Sequence, residues 1–127
     1  YKKIAAIENL QDKYDVEEEL EDRFGDMPSP VINLVNIAYI KALAGKFNIV
    51  EVTHKDREVI LRLSGSKAID SRVLMRILNE NRNRLRYDGR RIPMLKISLP
   101  NTSPTTALAE TKDILEQLQK IQEEQSR

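Results

Sequence analysis

Apolar residues at the start of the chain recur at helical spacing. Ile4, Ile7 and Leu10 repeat on one side of a segment in which Ala5 and Ala6 keep helix propensity high, which predicts a first helix running to about Lys13. Asp15 followed by Glu18 has the form of a capping box, so a second helix is expected to start there after almost no linker, with Tyr14 packed into the corner. Val16, Leu20 and Phe24 recur every four residues and form its expected buried stripe. Gly25 is placed to end that helix in a left-handed conformation, and Pro28 and Pro30 prevent its resumption. Ser29 can cap a third helix whose first position is Pro30. From Val31 to Phe47 little of the circumference is polar, which predicts a helix covered on more than one side and stopped at Gly45.

Beyond Asn48 the period changes to two. Val50 and Val52 alternate with Glu51 and Thr53, and Val59, Leu61 and Leu63 alternate with Ile60 and Arg62, predicting two half-buried strands joined around His54 to Glu58. Asp70 is the next N-cap, opening a helix whose apolar face is Val73, Leu74, Ile77 and Leu78, with Arg72 and Arg76 outside and an end near Asn81. Leu85 and Tyr87, expected to face the core, alternate with Arg84 and Arg86. Asp88-Gly89 turns the chain, and Leu95, Ile97 and Leu99 define a last strand with Pro93 at its start, where proline is tolerated. After a linker from Pro100 to Pro104, the stripe Ala107, Leu108, Ile114, Leu115, Leu118 and Ile121 predicts an amphipathic helix of about five turns, fraying from Gln122 to Arg127.

These elements define an α+β fold. Two N-terminal helices and a long central helix pack on a small, mainly antiparallel sheet of about four strands with an inserted helix, and an amphipathic helix follows. The 127 residues are expected to form one domain, helical over 1–47, sheet with inserted helix over 48–99, and linker with helix over 100–127. Because the first residue is Tyr and a helical pattern follows at once, the chain reads as a piece of a longer protein.

Composition narrows the chemistry. No cysteine is present, which removes disulfides, thiolate zinc sites and cysteine nucleophiles. No secretory leader pattern is present and no apolar run approaches the roughly 18 residues of a membrane span, so a soluble cytoplasmic protein is expected. There is no G-x-x-x-x-G-K-[ST], G-x-G-x-x-G or G-x-S-x-G, and the lone His54 has no matching nucleophile or second ligand. A non-catalytic domain without cofactor or metal is the expectation.

Net charge is +1 but unevenly placed: residues 1–30 carry 4 basic and 9 acidic side chains, residues 31–100 carry 14 and 6, and residues 101–127 carry 3 and 5. A basic group at Arg82, Arg84, Arg86, Arg90 and Arg91 has the guanidinium chemistry that suits phosphate, but only Tyr87 is aromatic nearby, so a stacking platform is missing. A nucleic-acid contact through Arg84, Arg86, Arg90 and Arg91 is one reading, and internal pairing of these cations with acidic helices is the other.

The densest acids lie on the second helix, where Glu19 and Asp22, three apart, project together and Arg23 can pair with Glu19. Their surroundings, Glu19-Leu20-Glu21-Asp22-Arg23-Phe24-Gly25-Asp26-Met27-Pro28, resemble the E-L-x-D-R-F-G-x-x-P signature that opens the C-terminal (TRCF) domain of the bacterial transcription-repair coupling factor (Mfd) family. The resemblance continues more loosely through the long apolar helix, the hairpin, Leu85-Arg86-Tyr87-Asp88-Gly89 and Leu95-Lys96-Ile97.

It implies that the parent is an ATP-driven DNA translocase, with ATP and Mg in its motor domains, that displaces stalled RNA polymerase and recruits the excision-repair protein UvrA through an N-terminal UvrB-like module. It further implies that this domain folds back on that module and masks its UvrA surface, an autoinhibitory clamp whose contacts fall on Glu19 and Asp22, with Arg23 orienting them. Glu21 stands where the signature is apolar or variable, which widens the acidic surface. A nucleic-acid contact module and a purely structural cap are the alternatives.

Overall fold

The computed structural model describes residues 2–67 and 69–126. It divides into two compact units, one ending at Leu43 and the other beginning at Ala44. Among the described residues there are five helices and a four-stranded antiparallel sheet, an α+β fold.

The first unit is helical. Helix α1 is a single turn, Lys2–Ala5, rather than a segment reaching Lys13. Helix α2 runs from Leu10 to Phe24 and is capped by Asn9, whose side chain accepts from the Asp12 amide at 2.8 Å, while the Asp12 carboxylate accepts from the Glu8 amide at 3.0 Å. The reciprocal capping expected at Asp15 and Glu18 thus occurs earlier in the chain, because Asn9 and Asp12 are equally suited to satisfy the unpaired amides of a first turn. Asp15 instead lies inside the helix, accepting from Gln11 at 2.9 Å. Tyr14 is exposed and does not fill a corner.

The buried member of α2 is Lys13, whose ammonium pairs with Glu17 at 3.2 Å and lies 5.3 Å from the Tyr14 ring centre and 6.0 Å from that of Tyr39. Its aliphatic stem covers apolar surface while the charge is shared between a carboxylate and two ring faces.

Gly25 ends α2 with φ 76° and ψ −150°, a positive φ but not the left-handed helical well. Helix α3 spans Ser29–Lys46. Its first intrahelical bond, from the Ile32 amide, goes to the Pro28 carbonyl at 3.1 Å, so the cap falls on Pro28 and Pro30 is one position further in than expected. Val35, Tyr39, Ile40 and Leu43 are buried, but Ile32, Leu34 and Ile37 are exposed, so the helix is not covered on all sides. It also passes through Gly45; the left-handed residue that turns the chain is Asn48, with φ 61°. Asparagine tolerates that conformation better than other residues with a Cβ.

The second unit holds the sheet in the order β1-β2-β4-β3, with β1 Ile49–Lys55, β2 Glu58–Leu63, β3 Leu85–Asp88 and β4 Met94–Ser98. The β1–β2 turn is Asp56-Arg57, with Asp56 at φ 55°, so His54 lies in the strand, exposed, rather than in the turn. Strand β1 is an edge strand with a register irregularity after Ile49, and Val50 and Val52 are exposed rather than half-buried.

Val59, Leu61 and Leu63 of β2 and Leu95 and Ile97 of β4 supply the core face. Helix α4, Ser71–Glu80, opens on Asp70, which accepts from the Arg72 amide at 2.8 Å; it packs on α5, Pro104–Gln125. Helix α5 buries Ala107, Thr111, Ile114, Leu115, Leu118 and Ile121 and stays helical through Gln125, past the expected fraying point. Tyr87 pairs in register with buried Leu95 but is 42% exposed, because β3 is the other edge of the sheet.

Candidate functional site

The candidate site residues separate into two groups. On α2, the Glu19 carboxylate lies 2.5 Å from the Lys3 ammonium and 3.8 Å from Nε of Arg23, with about a third of its side chain still exposed. The hydrogen bond from Lys3 holds this carboxyl below its ordinary range, against the opposing effect of burial and with lesser help from the charges of Lys3 and Arg23. Asp22, the other acid of the pair, is exposed, and its carboxylate makes no hydrogen bond or ion pair with another described residue. Arg23 is 69% exposed and aligned along the helix with Glu19. Glu18 and Glu21 are exposed on the same helix. One carboxylate is therefore engaged and its neighbour is open to solvent.

Phe24 was expected to anchor α2 as part of its buried stripe. It is instead 73% exposed, while Val16 and Leu20 are half-buried. A cleft of about 890 Å³ opens beside it, walled by Ile4, Val16, Leu20, Met27 and Val31 and rimmed by Lys3, Glu19 and Arg23. The short α1 leaves this hollow open: one helical turn is about 6 Å long and cannot cover the far end of a helix of 15 residues. The cleft is not legible in the sequence because its walls come from α1, α2, the α2–α3 connection and the first turn of α3. The available signal was the apolar pair Phe24 and Met27 flanking Gly25.

The arginines of the second group are not brought together as one free face. Arg84 donates to Glu110 and Asp113 on α5 and, at 3.0 Å, to the Asn81 side-chain oxygen. Asn81, itself buried, donates to the Ile77 carbonyl at 2.9 Å and to Gln117 at 2.7 Å. Arg86 pairs with Glu58 at 2.7 Å and Arg90 with Asp88 at 3.4 Å, while Arg91 makes no ion pair with another described residue. Arg82 donates to Asn79 at 2.9 Å. Arg90 also holds the Asp88 carboxyl below its ordinary range through a side-chain hydrogen bond.

Among the described residues no group of three or more His, Asp or Glu side chains is disposed to hold a metal ion, and no helix is long and apolar enough to cross a membrane.

The geometry is that of a charged helix face beside an apolar hollow. The family model described as TRCF domain matches residues 1–74, which include the whole of α1 to α3 and the hairpin. The chain belongs to the TRCF domain family. The transcription-repair-coupling factor of Borreliella burgdorferi is 28% identical over 85 residues, which is 67% of this chain and 8% of that protein. That of Escherichia coli strain K12 is 26% identical over 89 residues, 70% of this chain and 8% of that protein. The chain thus matches a small part of the length of these curated relatives. A crystal structure of the C-terminal domain of a transcription-repair coupling factor superposes with a TM-score of 0.83 at 24% identity, covering 98% of this TRCF chain and 79% of the other, and the two share a fold.

Proposed function

We propose that this TRCF domain is the C-terminal regulatory part of a transcription-repair coupling factor, and that it works without catalysis, as an autoinhibitory clamp docked on the UvrB-like N-terminal module of its parent. In this reading the parent is an ATP-dependent DNA translocase that acts on stalled RNA polymerase, and the docked domain masks the surface that UvrA requires. The observation that carries the reading is the free Asp22 carboxylate beside Glu19 and Arg23 on one rigid helix. Carboxylates fixed on a helix can meet arginines across an interface with little loss of backbone freedom, and charge-assisted bonds of that kind set specificity and register. Family membership supplies the context in which such a face has a partner within the same protein.

The test is a calorimetric titration of the separately produced UvrB-like module of the same parent onto the chain. Glu19→Arg with Asp22→Arg is expected to weaken binding at least about tenfold, the equivalent of about 1.4 kcal/mol. The far-ultraviolet circular dichroism should be unchanged, since both side chains sit on the outside of α2. Unchanged affinity overturns the reading.

A further inference from the structure

We infer that the free edge of β1 is a self-association surface, where a second copy of this chain adds its own β1 antiparallel and joins the two sheets into one. The inference goes beyond the clamp reading and does not depend on it.

The hydrogen bonds of the sheet decide which backbone groups are left over. The Leu63 amide donates to the Pro93 carbonyl and the Leu99 amide to the Arg57 carbonyl, both at 2.8 Å, so Val59, Leu61 and Leu63 turn their backbone groups towards β4. Glu58, Ile60 and Arg62 therefore face β1, where their register partners are Lys55, Thr53 and Glu51. The amides and carbonyls of Val52 and His54 consequently point away from the sheet, to its open edge.

The two edges of the sheet differ. On β3 the Ser98 amide donates to the Arg84 carbonyl, which leaves Leu85 and Tyr87 pointing outward, but the Leu85 amide already donates to the Asn81 carbonyl at 2.8 Å and the strand has only four residues. Short strands, prolines and bulges are the usual protections of an edge. Strand β1 has seven residues and no proline, and its register irregularity lies before Glu51. Glu51 to Lys55 are left in unbroken register with β2 and exposed.

Charge selects a second copy as the occupant. About a two-fold axis through Thr53, Val52 lies opposite His54 of the second copy, and each such pair exchanges hydrogen bonds between its outward-pointing groups. The same register sets Glu51 opposite Lys55 of the second copy at both ends and Thr53 opposite its own equivalent, and opposite charges and paired threonines are favourable cross-strand neighbours. Glu51 is 58% exposed beside Arg62, at 3.4 Å, and Lys55 makes no ion pair with another described residue. Moving the axis to Val52 keeps the backbone pattern but sets Lys55 against Ile49 and Glu51 against Thr53, so the charges fix the register. A single strand pair falls below the roughly 1,200 Å² of a stable interface, which makes the association weak and reversible.

Sedimentation equilibrium of the chain between about 10 μM and about 1 mM is expected to show a reversible monomer–dimer equilibrium. Lys55→Glu brings two carboxylates face to face at each end, Glu51→Lys brings two ammonium groups, and each alone is expected to raise the dissociation constant at least about tenfold. An equimolar mixture of these two variants pairs every acid with a base and is expected to restore dimerisation, which damage to either fold would not do. His54→Pro removes an outward amide while leaving the bonds to β2 intact, and is expected to abolish dimerisation with unchanged far-ultraviolet circular dichroism. A chain that stays monomeric up to about 1 mM, as it would if the edge received a strand from elsewhere in a longer protein, overturns the inference. So does a dimer that survives both Lys55→Glu and His54→Pro, since its contact then lies on another surface. A mixture no more dimeric than either variant alone overturns the register through Thr53. None of these substitutions touches α2, so the clamp titration keeps its own outcome.

Discussion

Gly25 holds the turn between the acidic helix and the proline-bounded start of α3, at φ 76° and ψ −150°. That region is essentially closed to residues with a Cβ, whatever the space around them, and nothing lies within 4 Å of the position a Cβ would take. Gly25→Ala is therefore expected to cost about 1–3 kcal/mol through backbone strain alone, measurable by urea denaturation. Its role as a helix terminator was legible in the sequence, but its conformation was not, because a glycine between Phe24 and Asp26 is compatible with every positive-φ turn. Glu19 shows the converse limit. Its pairing with Arg23 follows from helical spacing, whereas its closer partner Lys3 lies 16 residues away and depends on how α1 meets α2.

At the scale of elements, the periods located α4, α5 and the four strands closely; in β2 and β4 the alternation of apolar and polar residues also coincides with a face that is buried on one side only, whereas in β1 it does not. They failed at α1 and α2. Two capping sequences compete within Glu8 to Glu18, and Asn9-x-x-Asp12 prevails over Asp15-x-x-Glu18, leaving one turn before it. The arginine-rich strand was ambiguous for a similar reason: strand alternation says which side Arg84 leaves from, not what stands there. What stands there is α5, whose Glu110 and Asp113 receive the guanidinium while Asn81 ties the end of α4 to the same charge. Arg84→Met keeps the stem but leaves Asn81 and the two acids without their cation. It is expected to destabilise the chain by about 1–2 kcal/mol in urea denaturation, a modest figure because a quarter of the Arg84 side chain meets solvent.

For the whole molecule, an acidic first segment and a basic middle give opposite charges to the two compact units. Much of that charge is paired within the chain, and three carboxyls, Glu19, Asp70 and Asp88, are held below their ordinary range by hydrogen bonds from Lys3, Arg72 and Arg90 respectively. A carboxyl depressed in the folded state contributes stability that is complete above its unfolded pKa and lost as pH falls through its folded one. The thermal midpoint is therefore expected to stay level between about pH 7 and 5 and to fall below about pH 4. Calorimetric scans across that range check this, and the combined Glu19→Gln, Asp70→Asn and Asp88→Asn variant should show a shallower acid limb. A midpoint that rises on acidification would contradict the assignment of these pairs.

The sequence by itself determined the α+β class, the sheet and α4–α5 elements, and the signature on α2, since each of these depends on neighbours within a turn or a strand. Only the tertiary structure decided which apolar residues are covered. Phe24, Ile37, Val52 and Tyr87 all fit buried stripes by period, yet all are exposed, because burial depends on a second element being long enough and close enough to cover the first. Periodicity records the side of an element on which a residue lies; the covering partner comes from elsewhere in the fold.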